Sequence, residues 1–375
     1  YGTGFHGTIS DEVAHILQTV NSLSAYRIAC DIPSGIDSRG IVAKCADGTP
    51  VAFLATRTVT MGGYKAALFS DAAKAYTGHI SRGSIGVSPA TFDASGKTPY
   101  ALLETADMQL PHRTAPNAHK GTFGHLAVIT GEKPGAAIIA GSAALAFGCG
   151  CVTLVNYTNT NTSMAPAYPP ELLYASALPK QATTVVVGPG LGRSDSTLAS
   201  ICATIYAHLS RVQNAALVLD ADVCHLQSLQ TLLDDFASRI PAARVVLTPH
   251  PKEFQALLKN CLGRELPVDR IITERLTLVQ QFTERFPQCA LILKGAYTLI
   301  AVHGAVHIAG AGSVALAKAG SGDVLAGMTG ALLVQGYSAG NAAQTAVLAH
   351  GTAAHQFKNN YALTPLQLIE AVQRL

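Results

Sequence analysis

The sequence predicts an α/β protein whose main sheet is largely parallel and covered by helices on both faces. From residue 124 onward, short apolar strands alternate with helical patterns. Several of these strands are unbroken apolar runs, as expected where both faces of a sheet are buried. The composition agrees, because 49% of the 375 residues are hydrophobic and only 13% are charged, about half the usual ~25%. Intrinsic disorder is therefore excluded, and the length corresponds to about two and a half average domains.

The first 98 residues form a shorter α/β pattern, which we assign to a domain of its own. Ser10 is suited to cap its first helix. The predicted elements are a helix over 11–23, a strand over 27–31 closed by the turn 32–35, a strand over 51–61, and a helix with a final strand within 64–90. Between residues 88 and 120 the composition shifts to Pro, Thr, Asp, His and Asn without clear periodicity, which indicates a linker. We place the two domains at 1–98 and 99–375.

The second domain alternates strands and helices from Gly124 onward. A strand over 125–130 and a turn over 131–135 lead into a helix over 136–148 that is rich in small residues. Further strands are predicted over 152–157, 184–187, 216–219, 244–247, 290–293 and 298–303. In open α/β sheets, ligands bind beyond the carboxyl ends of the strands. The residues that follow each strand are therefore the first candidates for a site.

Charge and cysteine content exclude several classes of function. A net charge of +3 without a basic run argues against a nucleic-acid partner. The eight cysteines include no C-x-x-C pair, which indicates reduced, mostly buried thiols in a cytoplasm. The opening residues lack the basic region of a signal peptide. The uncharged stretches 134–155 and 324–356 are Ala-rich and interrupted by polar residues, so we expect buried helices there and no membrane span.

Four polar or glycine-rich strings follow predicted strands. They are Gly188-Pro189-Gly190-Leu191-Gly192, Asp220-Ala221-Asp222, Thr248-Pro249-His250-Pro251-Lys252-Glu253 and Lys294-Gly295-Ala296-Tyr297-Thr298. Each string alone is ordinary, because glycines and aspartates suit turns and helix caps, Lys294 suits a strand end and His250 suits a loop. Together on one edge of a sheet they indicate a single cleft.

The string Ala319-Gly320-Ser321-Gly322-Asp323 places a glycine loop directly before a helix. Glycines let backbone N–H groups approach an anion, and the helix dipole adds about half a positive charge. Asp323 stands where a carboxylate can reach a hydroxyl that attacks a phosphoryl group. The alternative is an ordinary capped helix with Asp in its first turn, which needs no function. The sequence contains no Walker A loop, no G-x-G-x-x-G fingerprint and no zinc-binding spacing.

Taken in order, these strings resemble a known family. Lys120-Gly121, Gly124 and Gly135-Ala136 precede the motifs G-P-G-L-G, D-A-D, T-P-H-P-K-E, L-K-G-A-Y-T and A-G-S-G-D-V-L-A-G. From about residue 100 to the C-terminus, the chain looks like the ADP- or ATP-dependent NAD(P)H-hydrate dehydratases of the ribokinase-like superfamily. The resemblance implies a ribokinase-like αβα sandwich and a lyase that repairs hydrated nicotinamide cofactors.

The resemblance also implies roles for individual residues. Asp323 is the general base on the hydroxyl of the (S)-hydrate, which attacks the terminal phosphate of ADP or ATP, and loss of the phosphate ester then regenerates NAD(P)H. Glu253 helps hold Mg²⁺ through water, with His250 where the superfamily's N-x-x-E motif has asparagine. The anion hole is formed by Gly320, Ser321 and Gly322. The binding positions are Lys294, Gly295, Ala296, Tyr297, Thr298 and Gly322 for the nucleotide, and Ala136, Gly190, His250 and Asp323 for the hydrate.

Residues 1–98 resemble the companion NAD(P)H-hydrate epimerase, which is fused to the dehydratase in many prokaryotes. The likeness rests on Gly2-Thr3-Gly4, on Asp31-Ile32-Pro33-Ser34-Gly35-Ile36-Asp37 and on the region of Gly62, Gly63 and Lys65. It implies a partial Rossmann-like α/β domain with Asp31 as a catalytic and substrate-binding residue, Ser34 as a K⁺ ligand, and a substrate loop of Gly2, Thr3, Gly4, Phe5, His6, Gly7 and Thr8. The family's N-N-G-G-D-G loop, and an aspartate before the G-T-G turn, are absent from this chain. We therefore expect epimerase activity only if a missing N-terminal segment is supplied.

Two other interpretations stay open. A ribokinase-like kinase of a small molecule such as a vitamin precursor would share the glycine loop and Asp323 but release a stable phosphorylated product. His250 and the epimerase-like segment argue against it. A nucleotide-binding regulatory or scaffold protein without catalysis is the other alternative, mainly for residues 1–98. ADP is favoured over ATP only by the prokaryote-like fusion. The share of small and apolar residues is compatible with a homo-oligomer, which we expect.

Overall fold

The computed structural model describes residues 7–96, 98–157, 169–240 and 244–375. Within the chain, two units separate, one of residues 1–100 and one of residues 101–375. The predicted substrate-loop residues Gly2, Thr3, Gly4, Phe5 and His6 lie outside the described residues.

The first unit is built on a small parallel sheet. Helix α1 (Asp11–Ser22) begins behind Ser10, whose hydroxyl accepts a hydrogen bond from the Val13 N–H as predicted for a cap. The strands β1 (Ile28–Cys30), β2 (Arg57–Met61) and β3 (His79–Gly83) pair in that order, all in parallel. The remaining helices of this unit are α2 (Lys74–Thr77) and α3 (Pro89–Ser95).

Two predictions for this part of the chain are wrong. The strand predicted over 51–61 is regular only in β2, because the residues before it bond to loops; the Phe53 N–H, for example, donates to the Ser34 carbonyl. The segment 88–120 is not an irregular linker throughout. It contains α3, capped by the Ser88 hydroxyl, and the strand β4 (Tyr100–Leu103). Four residues at a sheet edge are too few to show a periodicity.

The second unit contains the large sheet. Its strands after β4 are β5 (His125–Thr130), β6 (Cys151–Asn156), β7 (Leu173–Ala175), β8 (Thr184–Val187), β9 (Ala216–Leu219), β10 (Arg244–Leu247), β11 (Cys289–Leu293), β12 (Thr298–Val302) and β13 (Ala305–Ala309). Their spatial order is β4-β13-β12-β11-β10-β9-β8-β5-β6-β7. The strands β5 to β11 all pair in parallel, whereas β11, β12 and β13 pair antiparallel. The prediction of a mainly parallel sheet is confirmed.

The sequence missed two of these strands, β7 and β13. Between β12 and β13 the chain reverses at His303 and Gly304, which both have positive φ angles (49° and 78°). Two successive residues of this kind are typical of a tight hairpin turn. The antiparallel extension therefore begins at His303, which the sequence places at the end of the strand 298–303.

Helices cover the sheet, and the helix of residues 321–334 is almost completely buried. They are α4 (Pro134–Ala146), α5 (Asp195–Leu209), α6 (Leu229–Arg239), α7 (Pro251–Leu262), α8 (Val268–Thr273), α9 (Arg275–Arg285), α10 (Ser321–Val334), α11 (Ala339–His355) and α12 (Pro365–Val372). Helix α10 packs against α4 so closely that a Cβ on Gly327 would lie 2.0 Å from the Ala140 carbonyl oxygen. The uncharged stretch 324–356 thus lies in the buried helices α10 and α11, whereas the stretch 134–155 contains α4 and most of the strand β6. In the described part of the chain no helix has both the length and the apolar character to cross a membrane.

Candidate active site

The carboxyl ends of four neighbouring strands bring the four predicted strings together. Strands β8, β9, β10 and β11 are adjacent and parallel. The strings that follow them begin at Gly188, Asp220, Thr248 and Lys294. Because the carboxyl ends of parallel strands meet at one edge of the sheet, these side chains face a common region. The fold therefore places the four strings at one edge of the sheet, as expected from the sequence.

Lys294 is the central charge of this cluster. Its Nζ lies 3.1 Å from Asp220 Oδ1 and 3.6 Å from Glu253 Oε2. The same oxygen of Asp220 accepts a hydrogen bond of 2.6 Å from the Thr248 hydroxyl. Burial alone would lower the pKa of Lys294, but the two carboxylates raise it to about 12. Lys294 therefore stays positively charged and offers a fixed cation to an anionic ligand.

His250 and Glu253 form a reciprocal cap at the start of α7. The backbone N–H of His250 donates to Glu253 Oε2 at 2.8 Å, and the N–H of Glu253 donates to His250 Nδ1 at 3.2 Å. Burial would raise the pKa of Glu253, but His250 and Lys294 hold it below its usual value. Glu253 is therefore an ionised carboxylate near neutral pH. The His250 side chain is 44% exposed at the rim of this cluster.

The glycine loop predicted from the sequence opens α10 beside Lys294. Gly320 precedes the helix with a φ of +90°, a conformation that favours glycine. No side chain caps α10, and within the described residues the Gly322 N–H has no protein acceptor, whereas the Ser321 N–H donates to the Lys318 carbonyl. A Cβ on Gly322 would lie 3.3 Å from Lys294 Nζ. The loop therefore offers a helix N-terminus and an ammonium group to the same ligand.

Asp323 lies in the first turn of α10 and is half-buried. Burial, above all, and the negative charges of Asp220 and Glu253 raise its pKa to about 7, against the opposing effect of Lys294. A carboxyl group with this pKa exchanges a proton readily near neutral pH. A carboxyl group with such a raised pKa is a candidate for proton transfer, beside the alternative of an ordinary aspartate in the first turn of a helix.

The loop Gly188–Gly192 approaches the start of α4, where Ala136 lies. Gly190 has a φ of +60°, and a Cβ there would lie 2.3 Å from the Lys133 carbonyl oxygen and 3.1 Å from Ala136 Cβ. The structure thus brings together Gly190 and Ala136, two of the residues expected to bind the hydrate. At the end of this loop the Gly192 N–H donates to Asp222 at 3.0 Å.

The residues after β11 differ in their exposure to solvent. Gly295 and Ala296 are exposed, whereas Tyr297 is buried and Thr298 begins β12. The Tyr297 carbonyl accepts a hydrogen bond of 2.6 Å from the guanidinium of Arg275. The expected nucleotide segment is therefore an exposed turn of small residues anchored at its end by a buried arginine.

The first unit has a polar cluster of its own around Asp31. This residue has a φ of +71°, which is unusual for a residue other than glycine. Its carboxylate accepts hydrogen bonds from the Thr60 hydroxyl, the Met61 N–H and the Lys65 ammonium group. Burial acts to raise the Asp31 pKa, but Lys65 and Met61 hold it below its usual value. Ser34 lies half-buried in the same turn, while Gly7 and Thr8 line a separate cavity of about 250 Å³ with Asp37 and Arg39.

Several residues of these clusters were not among the predicted site residues. In the sequence, Asp220, Thr248 and Lys65 stand out only as members of the strings and regions quoted above. Their partners come from other strands, so no local pattern predicts the contacts. Among the residues that the structure describes, no group of three or more His, Cys, Asp and Glu side chains is arranged to hold a metal ion.

The fold and the site together define the class of protein. A buried helix follows a glycine loop at the carboxyl edge of a mainly parallel sheet, and this arrangement is that of a ribokinase-like α/β protein. The chain superposes on a ribokinase-like superfamily protein from Enterococcus faecalis with a TM-score of 0.61, and the match covers 74% of this chain and 96% of that one at 22% identity. It also superposes on an ADP/ATP-dependent NAD(P)H-hydrate dehydratase from Bacillus subtilis, co-crystallised with ATP and Mg²⁺, with a TM-score of 0.57. That match covers 70% of this chain and 92% of the other at 26% identity.

The sequence narrows the class to a family. Residues 126–374 match the family model described as NAD(P)H-hydrate dehydratase, and residues 1–67 match the YjeF-related protein N-terminus. A bifunctional NAD(P)H-hydrate repair enzyme from Helicobacter pylori is 40% identical over 96% of this chain, which covers 71% of that protein. The chain therefore belongs to the NAD(P)H-hydrate dehydratase family, as the resemblance of its motifs implied.

Proposed function

We propose that the unit of residues 101–375 dehydrates (S)-NAD(P)H-hydrate to NAD(P)H at the expense of ADP or ATP. The observation that carries this proposal is the position of Asp323, a carboxyl group with a pKa of about 7 in the first turn of an uncapped helix. The ammonium group of Lys294 lies beside the same turn. A proton acceptor and an anion site within one turn of helix are what phosphoryl transfer to a hydroxyl group requires.

In the first step, Asp323 accepts the proton of the hydrate hydroxyl group while the hydroxyl oxygen attacks the terminal phosphorus of the nucleotide. A new P–O bond forms, and the bond to the leaving nucleotide breaks. The N–H groups at the start of α10 and the charge of Lys294 stabilise the negative charge on the phosphoryl oxygens. In the second step the C–O bond of the phosphate ester breaks, phosphate leaves with the bonding electrons, and loss of a proton from the neighbouring carbon restores NAD(P)H.

The binding roles follow the placement of the strings. Lys294, Gly295, Ala296, Tyr297, Thr298 and Gly322 would hold the nucleotide, and Ala136, Gly190 and His250 would line the hydrate pocket. Glu253, which is ionised and close to Lys294, would hold Mg²⁺ through water, since this ion prefers oxygen ligands and keeps several waters. Bound Mg²⁺ would neutralise part of the phosphate charge.

For the first unit we propose interconversion of the (R)- and (S)-hydrates in the full-length bifunctional form of the enzyme. Asp31 would be its proton-transferring residue, because its strained backbone and three hydrogen bonds hold the carboxylate in one position. Ser34 would contribute an oxygen to K⁺, and Gly7 and Thr8 would belong to the substrate loop. We further propose a cytoplasmic location, in keeping with eight free thiols, five of them buried. We also propose that the protein is a homo-oligomer.

The test is to incubate the protein with the hydrate of NADH, Mg²⁺ and either ADP or ATP, and to follow the absorbance of the reduced nicotinamide. We expect its return together with AMP and phosphate from ADP. A small-molecule kinase would instead accumulate a stable phosphorylated product. Absence of recovery with both nucleotides would refute the proposal, and the comparison of the two nucleotides decides the preference.

A further inference from the structure

His350 lies on α11, outside the catalytic cluster, yet its ring reaches the glycine loop. The residue is only 7% exposed. Its Nε2 lies 2.9 Å from the Ser321 carbonyl oxygen and 3.2 Å from the Ser321 hydroxyl oxygen. Because a carbonyl oxygen can only accept, Nε2 carries the ring proton and donates it to Ser321. Burial, above all, lowers the pKa of His350 to about 4, so the ring is neutral near pH 7.

The backbone on both sides of this contact is closely packed. Next to His350, a Cβ on Gly351 would lie 1.7 Å from the Ala311 carbonyl oxygen. Next to Ser321, a Cβ on Gly320 would lie 2.5 Å from Pro365 Cγ at the start of α12. Neither position has room for a side chain, so the hydrogen bond joins two closely packed segments.

The direction of the Ser321 carbonyl group matters for anion binding. In a planar trans peptide, the C=O and the N–H groups point to opposite sides. A hydrogen bond that holds the Ser321 C=O therefore also sets the direction of the Gly322 N–H. Gly322 lies next to Lys294, and its N–H has no protein acceptor in the described part of the chain.

We propose that His350 is a positioning residue of the phosphoryl-transfer site, which holds the Ser321–Gly322 peptide so that the Gly322 N–H points at the phosphoryl oxygens. The expected effect on kcat rests on the proposed function, whereas the expected effect on the Ser321–Gly322 peptide does not. This role needs no proton transfer by the imidazole, only its Nε2–H donor.

The kinetic test compares His350→Leu, which fills the space without a donor, with His350→Gln, which keeps one. We expect His350→Leu to lower kcat about 10- to 100-fold with a smaller rise in the KM for ADP, because the Gly322 N–H contacts the bound nucleotide but interacts more strongly with the charge that develops in the transition state. His350→Gln should restore most of the lost rate. Thr345→Val is the matched control, since Thr345 is buried on the same helix and bonds to the Gln109 N–H; its kcat should stay near wild type.

Hydrogen–deuterium exchange over residues 318–325 gives a readout that does not depend on turnover. We expect faster exchange in His350→Leu and wild-type exchange in His350→Gln and Thr345→Val. If His350→Leu does not fold, His350→Asn, whose shorter amide withdraws the donor, replaces it. Wild-type exchange in the donor-free variant, equal acceleration in Thr345→Val, or faster exchange with an unchanged kcat would each overturn the proposal. If the wild-type protein regenerates no NADH, the proposed function fails and the exchange data alone decide the role of His350.

Discussion

Asp323 shows at the scale of one residue how burial produces reactivity. The side chain occupies a helix position where aspartate is common, but its surroundings remove water and add the charges of Asp220 and Glu253. Lys294 opposes them and keeps the pKa of Asp323 near 7 rather than higher. The residue is thus able both to take a proton from a hydroxyl group and to release it again.

Replacement of Asp323 by Asn should remove the proton acceptor and leave the shape of the site intact. We expect kcat to fall by about 10²- to 10⁴-fold, the usual contribution of general base catalysis. Calorimetric titration with ADP should give nearly the wild-type affinity, because the N–H groups and Lys294 remain. A variant that keeps most of its kcat would remove Asp323 from the role of base.

The pH dependence of the reaction follows from the same pKa. Asp323 acts only when deprotonated, and the deprotonated fraction rises with pH through a pKa of about 7. We therefore expect kcat/KM to increase about tenfold per pH unit below pH 7 and to level off above it. Steady-state rates between pH 5 and pH 9 measure this profile. A rate that is flat between pH 5 and pH 7 would contradict the assignment.

At the scale of secondary-structure elements, the site depends on how closely α10 approaches α4. Gly327 allows this approach, because its missing side chain leaves room for the Ala140 carbonyl group. The crossing lies one turn beyond Asp323, and it sets the depth at which the start of α10 lies against the sheet. Here a small residue inside a helix serves packing rather than flexibility.

Gly327→Ala should therefore destabilise the protein although alanine favours helices. Overpacking of this kind costs about 1–3 kcal/mol, which corresponds to a loss of roughly 3–10 °C in Tm for a unit of this size. Gly340→Ala on α11 is the matched control, because a Cβ there would meet its nearest neighbour, Val302 Cγ2, at an ordinary 3.4 Å. Thermal unfolding of both variants tests the difference. An unchanged Tm in Gly327→Ala would show that the crossing adjusts without cost.

At the scale of the whole molecule, the chain carries two polar clusters, each assembled within one unit. The contacts of Lys294, Asp220 and Glu253 come from residues 101–375, and those of Asp31 come from residues 1–100. Two chemical steps on one metabolite, epimerisation and dehydration, are therefore proposed for separate sites.

This separation predicts independent behaviour of the two sites. Asp31→Asn should leave the rate of dehydration of purified (S)-hydrate within about twofold of wild type, because the described contacts of the two sites have no residue in common and sites without shared partners behave additively. Asp323→Asn, measured alongside, should abolish the same signal. A large loss of dehydration in Asp31→Asn would show that the two units are coupled.

Much of this could be predicted from the sequence because the signals are local. Unbroken apolar runs such as β8 and β9 identify strands that are buried on both faces, and they do so without knowledge of their neighbours. Glycine and carboxylate residues directly after those runs identify the edge of the sheet that carries the site. The short edge strand β4 and the hairpin strand β13 were not predicted, because a few residues show no clear hydrophobic period.

The sequence by itself determined the fold class, the order along the chain of the strands that carry the site, and the strings that meet at the carboxyl edge. Only the tertiary structure decided which of these side chains touch. Lys294 meets Asp220 across 74 residues of chain, and His350 reaches Ser321 from 29 residues away. It alone also decided that Asp323 has a pKa near 7 and that Lys65 pairs with Asp31. The physical reason is that secondary structure depends on neighbours along the chain, whereas burial, charge interaction and hydrogen-bond partners depend on neighbours in space.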